Sequence, residues 1–150
     1  MSEKIVSLNR KAYHDYDIQD SIEAGISLTG TEIKSIRIGA VNIRDAYAKH
    51  ENGEMWLLNS HIARYDPGSV YNHEPDRRRK LLLHRKEINW LTGTMTQKGL
   101  TLIPLKLYLK KGKAKIELGL ARGKKLHDKR KAIMERDVRR QIDQAIKQRR

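Results

Sequence analysis

The 150-residue sequence has no cysteine. Disulfides and thiolate metal sites are thereby excluded, and the redox compartment leaves no mark on the composition. No apolar run approaches the roughly 20 residues that a membrane-spanning helix needs. The opening Met1-Ser2-Glu3-Lys4 lacks the basic-then-apolar layout of a signal peptide, so a soluble cytoplasmic protein with no membrane partner is expected. Catalytic signatures are equally scarce. The histidines are His14, His50, His61, His73, His84 and His127, and none stands in a spacing such as His-Glu-x-x-His. Gly119 and Gly123 straddle Arg122, but a phosphate-cradling loop of the Gly-x-x-x-x-Gly-Lys type is missing, and no serine sits in a nucleophile elbow. His73-Glu74 with Asp76 could be drawn as the acid–base or metal cluster of a small nuclease, yet it falls in a proline-containing loop. No enzymatic activity, cofactor or metal is expected.

What the sequence has in excess is positive charge, a formal +14. A charge this large works against a compact state through self-repulsion and points to a polyanionic partner. The excess is also polarised. Residues 1–75 hold 8 basic and 11 acidic residues, whereas residues 76–150 hold 24 basic and 7 acidic. A membrane surface could attract such charge, but stable anchoring also needs a large apolar face or a lipid. Nucleic acid is the expected partner.

Periodicity supplies the fold class. Ile103, Leu105, Leu107 and Leu109 alternate with Pro104, Lys106, Tyr108 and Lys110, and Ala114, Ile116, Leu118 and Leu120 alternate with Lys113, Lys115, Glu117 and Gly119. These read as two strands with Lys111-Gly112 turning between them. Asn52-Gly53 between 46–51 and 54–60 is a strong two-residue hairpin signal. Tyr13–Ile18 and Glu23–Thr29 read as further short strands parted by a turn at Gln19-Asp20-Ser21. Thr31 can cap a short helix that Gly39 stops, with Ile33 and Ile36 on one side, and Asp76–Leu91 reads as a helix capped by Asp76 and ended by Gly93. About six short strands with few helices predict a mainly β protein: a small antiparallel barrel of the oligonucleotide-binding type, its core drawn from Ile26, Leu28, Leu57, Ile103, Leu105, Leu107, Ile116, Leu118 and Leu120. Pro104 is expected at an edge or near a strand start.

The pattern changes after Gly123. Met134, Val138, Ile142 and Ile146 recur every four residues, with Arg136, Arg140, Asp143 and Lys147 on the other side. Residues 1–122 are therefore expected to form the barrel. Residues 123–150 are expected to form a basic tail, disordered or loosely helical alone and ordered on a partner, the alternative being a helix docked on the barrel.

Two basic runs stand out. Arg77-Arg78-Arg79-Lys80 lies at the start of the expected helix, where cations oppose the macrodipole, so phosphate contact is the expected reason for it. Arg122-Gly123-Lys124-Lys125 with Lys129-Arg130-Lys131 forms a second patch at the exit of the last strand. Tyr13, Tyr16, Tyr65, Tyr71 and Tyr108 are available to stack on splayed bases or simply to pack.

With these residues in hand, the sequence resembles the small protein B family, the SsrA-binding proteins of bacteria. The resemblance runs through Asn9-Arg10-Lys11-Ala12-Tyr13-His14-Asp15-Tyr16, Ile22-Glu23-Ala24-Gly25-Ile26 and Gly30-Thr31-Glu32-Ile33-Lys34-Ser35. It continues through Arg79-Lys80-Leu81-Leu82-Leu83, Gly99-Leu100-Thr101-Leu102-Ile103-Pro104-Leu105 and Gly123-Lys124-Lys125-Leu126-His127-Asp128-Lys129-Arg130. It implies binding of the tRNA-like domain of transfer-messenger RNA and its delivery to stalled ribosomes. It further implies RNA contacts on the body at Asn9, His14, Glu23 and Leu81, with Gly123, Lys124 and Lys125 nearby; Arg79 and Lys80 of the first basic run are expected to join them. A tail is implied that enters the decoding site and the empty message channel of the small subunit. There His127 would stack on ribosomal RNA, with Asp128, Lys129 and Arg130 beside it; Arg136, Arg139, Arg140 and Ile142 farther along the tail are expected to contact the ribosome as well. Two readings compete: a generic RNA chaperone or ribosome-associated structural protein on the same barrel, and the nuclease.

Overall fold

The computed structural model describes residues 3–65, 72–124 and 140–142. Among these, nine strands and three helices follow one another as β1 (Lys4–Leu8), α1 (Arg10–Asp15), β2 (Tyr16–Ile26), α2 (Gly30–Arg37), β3 (Val41–Asn42), β4 (Tyr47–Glu51), β5 (Glu54–Leu58), β6 (His61–Ile62), β7 (Arg79–Leu82), α3 (Arg85–Lys98), β8 (Thr101–Lys110) and β9 (Lys113–Gly123). The sheet order β8-β4-β5-β7-β2-β9 closes when β9 pairs again with β8, giving a six-stranded antiparallel barrel. Closure removes the open edges that a flat sheet would present. β1 lies along the second half of β8, from Lys4↔Leu109 to Leu8↔Lys106, and β3 pairs only with β6. Among the described residues no helix is long and apolar enough to cross a membrane.

The two hairpins form where the sequence places them. Asn52 and Gly53 have φ of 54° and 76°, and Lys111 and Gly112 have 52° and 77°, the paired positive values of the turn that matches strand twist. All nine expected core residues are buried except Leu28, which packs partly buried against the core. They do not share one face, however. A bulge between Pro104 and Lys106 shifts the β8 register against β9. The extra residue reverses the side-chain alternation. Leu102 and Leu107 therefore point into the main core with Leu57, Ile116 and Leu118, while Ile103 and Leu105 join Ala12 and Ala121 in a second, smaller cluster. Pro104 sits beside this bulge and not at a strand start, one of the few places a proline fits inside a sheet. Leu105 lies over Gly119, where an added Cβ would come within 3.0 Å of its Cδ1.

Three other expectations are corrected. Residues 13–15 are helical, because the Asn9 side chain accepts from the Ala12 amide at 3.1 Å and caps α1. Gln19-Asp20-Ser21 is no turn: β2 runs unbroken to Ile26, and the polar triplet is absorbed as a second register shift against β9. The cap of α2 is Thr29, in a reciprocal box with Glu32, and not Thr31.

The largest correction concerns 76–91. Arg79–Leu82 form a strand, with Arg79 and Leu81 buried and Leu82 exposed, a period of two. The helix starts only at Arg85, where the Glu87 carboxylate accepts from the His84 amide at 2.9 Å. It runs through Gly93 and ends at Gly99, whose φ of 62° is the left-handed cap.

Candidate nucleic-acid interface

Two open grooves on the barrel surface bring together several of the expected site residues. The first, of about 550 Å³, lies between β2, β7 and the start of α3. Glu23, Lys80, Leu82, Arg85 and Lys115 line it. Leu82 is 51% exposed, an apolar side chain ringed by charge. Lys80 reaches Glu54 at 3.0 Å. Mixed charge of this kind is not a simple phosphate cradle. It offers an acceptor, an apolar surface and donors together, which is what an unstacked base requires.

Glu23 is held in place. The Tyr108 hydroxyl donates to its Oε2, and Lys110 Nζ lies 3.6 Å from the same oxygen. The Tyr108 hydrogen bond, outweighing the opposing effect of burial, together with Lys110 and Lys115 keeps the Glu23 carboxyl below its ordinary range. Burial, then the Glu23 carboxylate, push the Tyr108 hydroxyl well above its ordinary range, so it stays a donor.

The second groove, of about 900 Å³, lies where α1 meets the end of β9, lined by Tyr13, Tyr16, Asp17, Arg122, Gly123 and Lys124. Tyr13 is 53% exposed. The His14 side chain is exposed and its Nδ1 is 2.9 Å from Asp15 Oδ1. The Lys124 amide donates to the Asp15 carbonyl at 3.0 Å, fixing the exit of the chain beside α1. Exposed tyrosine next to cations suits stacking combined with backbone neutralisation.

Of the residues expected to touch RNA, Glu23, Lys80, Gly123 and Lys124 line these grooves, and His14 is exposed on α1 next to Tyr13. Three are interior instead. Asn9 is 3% exposed, and its Nδ2 donates to the Pro104 carbonyl at 2.8 Å and the Ile43 carbonyl at 3.3 Å. Leu81 is 1% exposed; the apolar residue offered to a ligand is its neighbour Leu82. Strand alternation across 79–82 was the signal for this, masked by a helical reading of the same stretch.

Arg79 is fully buried. Its Nε donates to Glu32, its Nη1 to Ser60 O at 3.0 Å and Ser60 Oγ at 2.9 Å, and its Nη2 to Pro75 O at 3.0 Å. Arg77 donates to the other Glu32 oxygen, and Arg78 reaches Glu51 at 2.9 Å while stacking on Trp56. The basic run thus faces carboxylates, with Arg79 interior and Arg77, Arg78 and Lys80 partly exposed. Lys125, His127, Asp128, Lys129, Arg130, Arg136 and Arg139 lie outside the described residues, as does Tyr71. Arg140 and Ile142 are exposed and lie in a helical turn outside α1–α3.

The nuclease cluster is not assembled. His73 is buried, with Nδ1 2.8 Å from the Thr31 hydroxyl and Nε2 2.8 Å from the Ile62 carbonyl. Both ring nitrogens are engaged. Asp76 pairs with His61 at 2.8 Å and Glu74 with Arg64 at 3.4 Å. Among the described residues no group of three or more His, Asp or Glu is placed to hold a metal.

Comparison with known proteins agrees with an RNA-binding reading. The family model described as SmpB protein matches residues 6–148. The SsrA-binding protein of Carboxydothermus hydrogenoformans is 58% identical over 147 residues, covering 98% of this chain and 99% of that protein. The SsrA-binding protein of Desulfitobacterium hafniense is 60% identical over 140 residues, covering 93% and 90%. Among solved structures, a chain of "tmRNA-SmpB: a journey to the center of the bacterial ribosome" superposes with a TM-score of 0.66 at 53% identity, covering 79% of this chain and 84% of that one. The barrel, its two grooves and the full-length similarity lead to one conclusion: the chain belongs to the SmpB family.

Proposed function

We infer that this protein binds transfer-messenger RNA and brings it to ribosomes stalled without a codon, the rescue reaction called trans-translation. The observation that carries this is the groove of Glu23, Leu82, Lys80 and Lys115, exposed on a barrel whose sequence matches SsrA-binding proteins over nearly its whole length. The barrel holds the tRNA-like domain. Residues 123–150 act separately: their basic, four-residue-spaced pattern suits a segment that lies along ribosomal RNA in the decoding site and message channel. In that reading His127, Asp128, Lys129 and Arg130 sit at the decoding site, and Arg136, Arg139, Arg140 and Ile142 follow into the channel. The protein supplies binding and placement, and peptide transfer belongs to its partners. Work on ribosomes makes the cytoplasm its place of action.

The test is to purify the full chain from bacterial cells and sequence the RNA that accompanies it. Transfer-messenger RNA should dominate. A broad mixture of single-stranded RNAs would favour a general RNA chaperone instead.

A further inference from the structure

Glu23 is an anion on a surface that meets RNA, so phosphate cannot be what it contacts. Its surroundings show what it can accept. Both described contacts to its carboxylate fall on Oε2, from Tyr108 and Lys110. A glutamate side chain turns about three bonds, and a hydrogen bond at one oxygen fixes where the other oxygen points. Tyr108 is itself packed in. It is 3% exposed on β8, and Lys106 Nζ lies 5.1 Å from its ring centroid, with that lysine paired to Glu117 at 3.4 Å. A tyrosine this buried has no ring face to give to a base. Its contribution is the hydroxyl.

We propose that Tyr108 is a positioning residue for the RNA site, holding the Glu23 carboxylate to accept from the N–H groups of an unpaired guanine. This rests on Glu23 contacting the RNA. A guanine edge carries an N1–H and an N2–H side by side, whereas adenine and cytosine each present one amino group there. A carboxylate has about four acceptor positions. Tyr108 fills one position of Oε2 and Lys110 lies 3.6 Å away, so Oε1 and the second position of Oε2 can meet the two N–H groups, and the exposed Leu82 in the same groove gives the base an apolar flank. The Tyr108 hydroxyl completes a relay from a buried ring to the recognised base. Without it, Glu23 keeps the lysines Lys110 and Lys115 beside it but loses its fixed aim.

The experiment is a double-mutant cycle on the full chain, read as Kd for transfer-messenger RNA. Tyr108→Phe should raise Kd about tenfold, the factor that one hydrogen bond to a charged group supplies. Added to Glu23→Ala it should raise Kd no further. A thermal midpoint on each variant separates this from unfolding, because a merely structural Tyr108 would lower the midpoint and weaken both backgrounds alike. Equal losses in both backgrounds overturn the positioning role. A silent Glu23→Ala overturns the reading beneath it, and the proposal with it. The guanine is tested on RNA with sparse inosine, which lacks the N2 amino group. At least one inosine position should interfere with the natural protein and not with Glu23→Ala. Identical interference patterns overturn the guanine assignment.

Discussion

Asn9 and Pro104 are joined by a hydrogen bond of 2.8 Å from the Asn9 side-chain amide to the Pro104 carbonyl. The same asparagine caps α1 through its Oδ1, and its backbone amide donates to the Leu105 carbonyl at 2.8 Å. One residue thus ties the helix bearing Tyr13 and His14 to the bulge of β8. Asn9→Ala removes the cap and leaves a buried carbonyl short of a partner, for a loss of about 2–3 kcal/mol in urea unfolding. It should also weaken binding of transfer-messenger RNA, because α1 shifts, although Asn9 is too buried to touch RNA. An unchanged stability with weakened binding would show direct contact instead.

The Glu32–Arg79 pair is fully buried. Arg79→Met takes the donor from Glu32 Oε2, leaving Arg77 and the Thr29 amide on Oε1, and should cost about 3–5 kcal/mol, measured by denaturation. Salt should alter this loss little, since both groups are out of solvent.

Glu32 also sets an acid limit. Burial raises its pKa, but hydrogen bonds from Arg77, the Thr29 amide and Arg79 outweigh burial and place the folded value below the ordinary 4.5. A lowered folded pKa means that the unfolded chain takes up the proton first as pH falls. The stabilisation is therefore complete well above pH 4.5 and drains away as pH drops through 4.5 toward the folded value. Glu32→Gln should flatten that part of the stability–pH curve and lower stability at pH 7. A mutant curve parallel to the natural one across the acid range would contradict this.

How much of this was legible in the sequence follows from what each signal depends on. The hairpins at Asn52-Gly53 and Lys111-Gly112 were readable because positive φ at paired positions has a local residue signature. The core was readable as a set, since burial follows apolarity. Its division into two clusters was not, because a single bulged residue at Leu105 reverses alternation without changing composition. The carboxylate partners of the basic run were hidden for a related reason. Four cations look alike in a row, and only the fold places Glu32, Glu51 and Glu54 against them. Glu23 came from the family resemblance; Tyr108 as its holder depends on strand register across 85 residues, which local spacing cannot show.

Leu107 tests the β8 register directly. It is 1% exposed and faces the main core beyond the bulge. Leu107→Ala should cost about 2–5 kcal/mol in chemical denaturation. A shift near zero would place Leu107 on the wrong face.

Lys124 stands at the second groove, on the chain leaving β9. If it neutralises one phosphate, Lys124→Ala should flatten the slope of log affinity against log salt by roughly 0.7 to 0.9. An unchanged slope would remove Lys124 from the interface.

The division between barrel and tail is tested most directly by peptide tagging on codon-free ribosomes, measured as a function of protein concentration with transfer-messenger RNA present. Glu23→Ala should move the half-maximal concentration upward and leave the plateau intact, because a weakened complex is restored by mass action. Truncation after Arg130 should leave the half-maximal concentration near that of the full chain and collapse the plateau. If truncation moved only the half-maximal concentration, with tagging recovered at saturation, the tail would belong to the RNA-binding surface and the division would be contradicted.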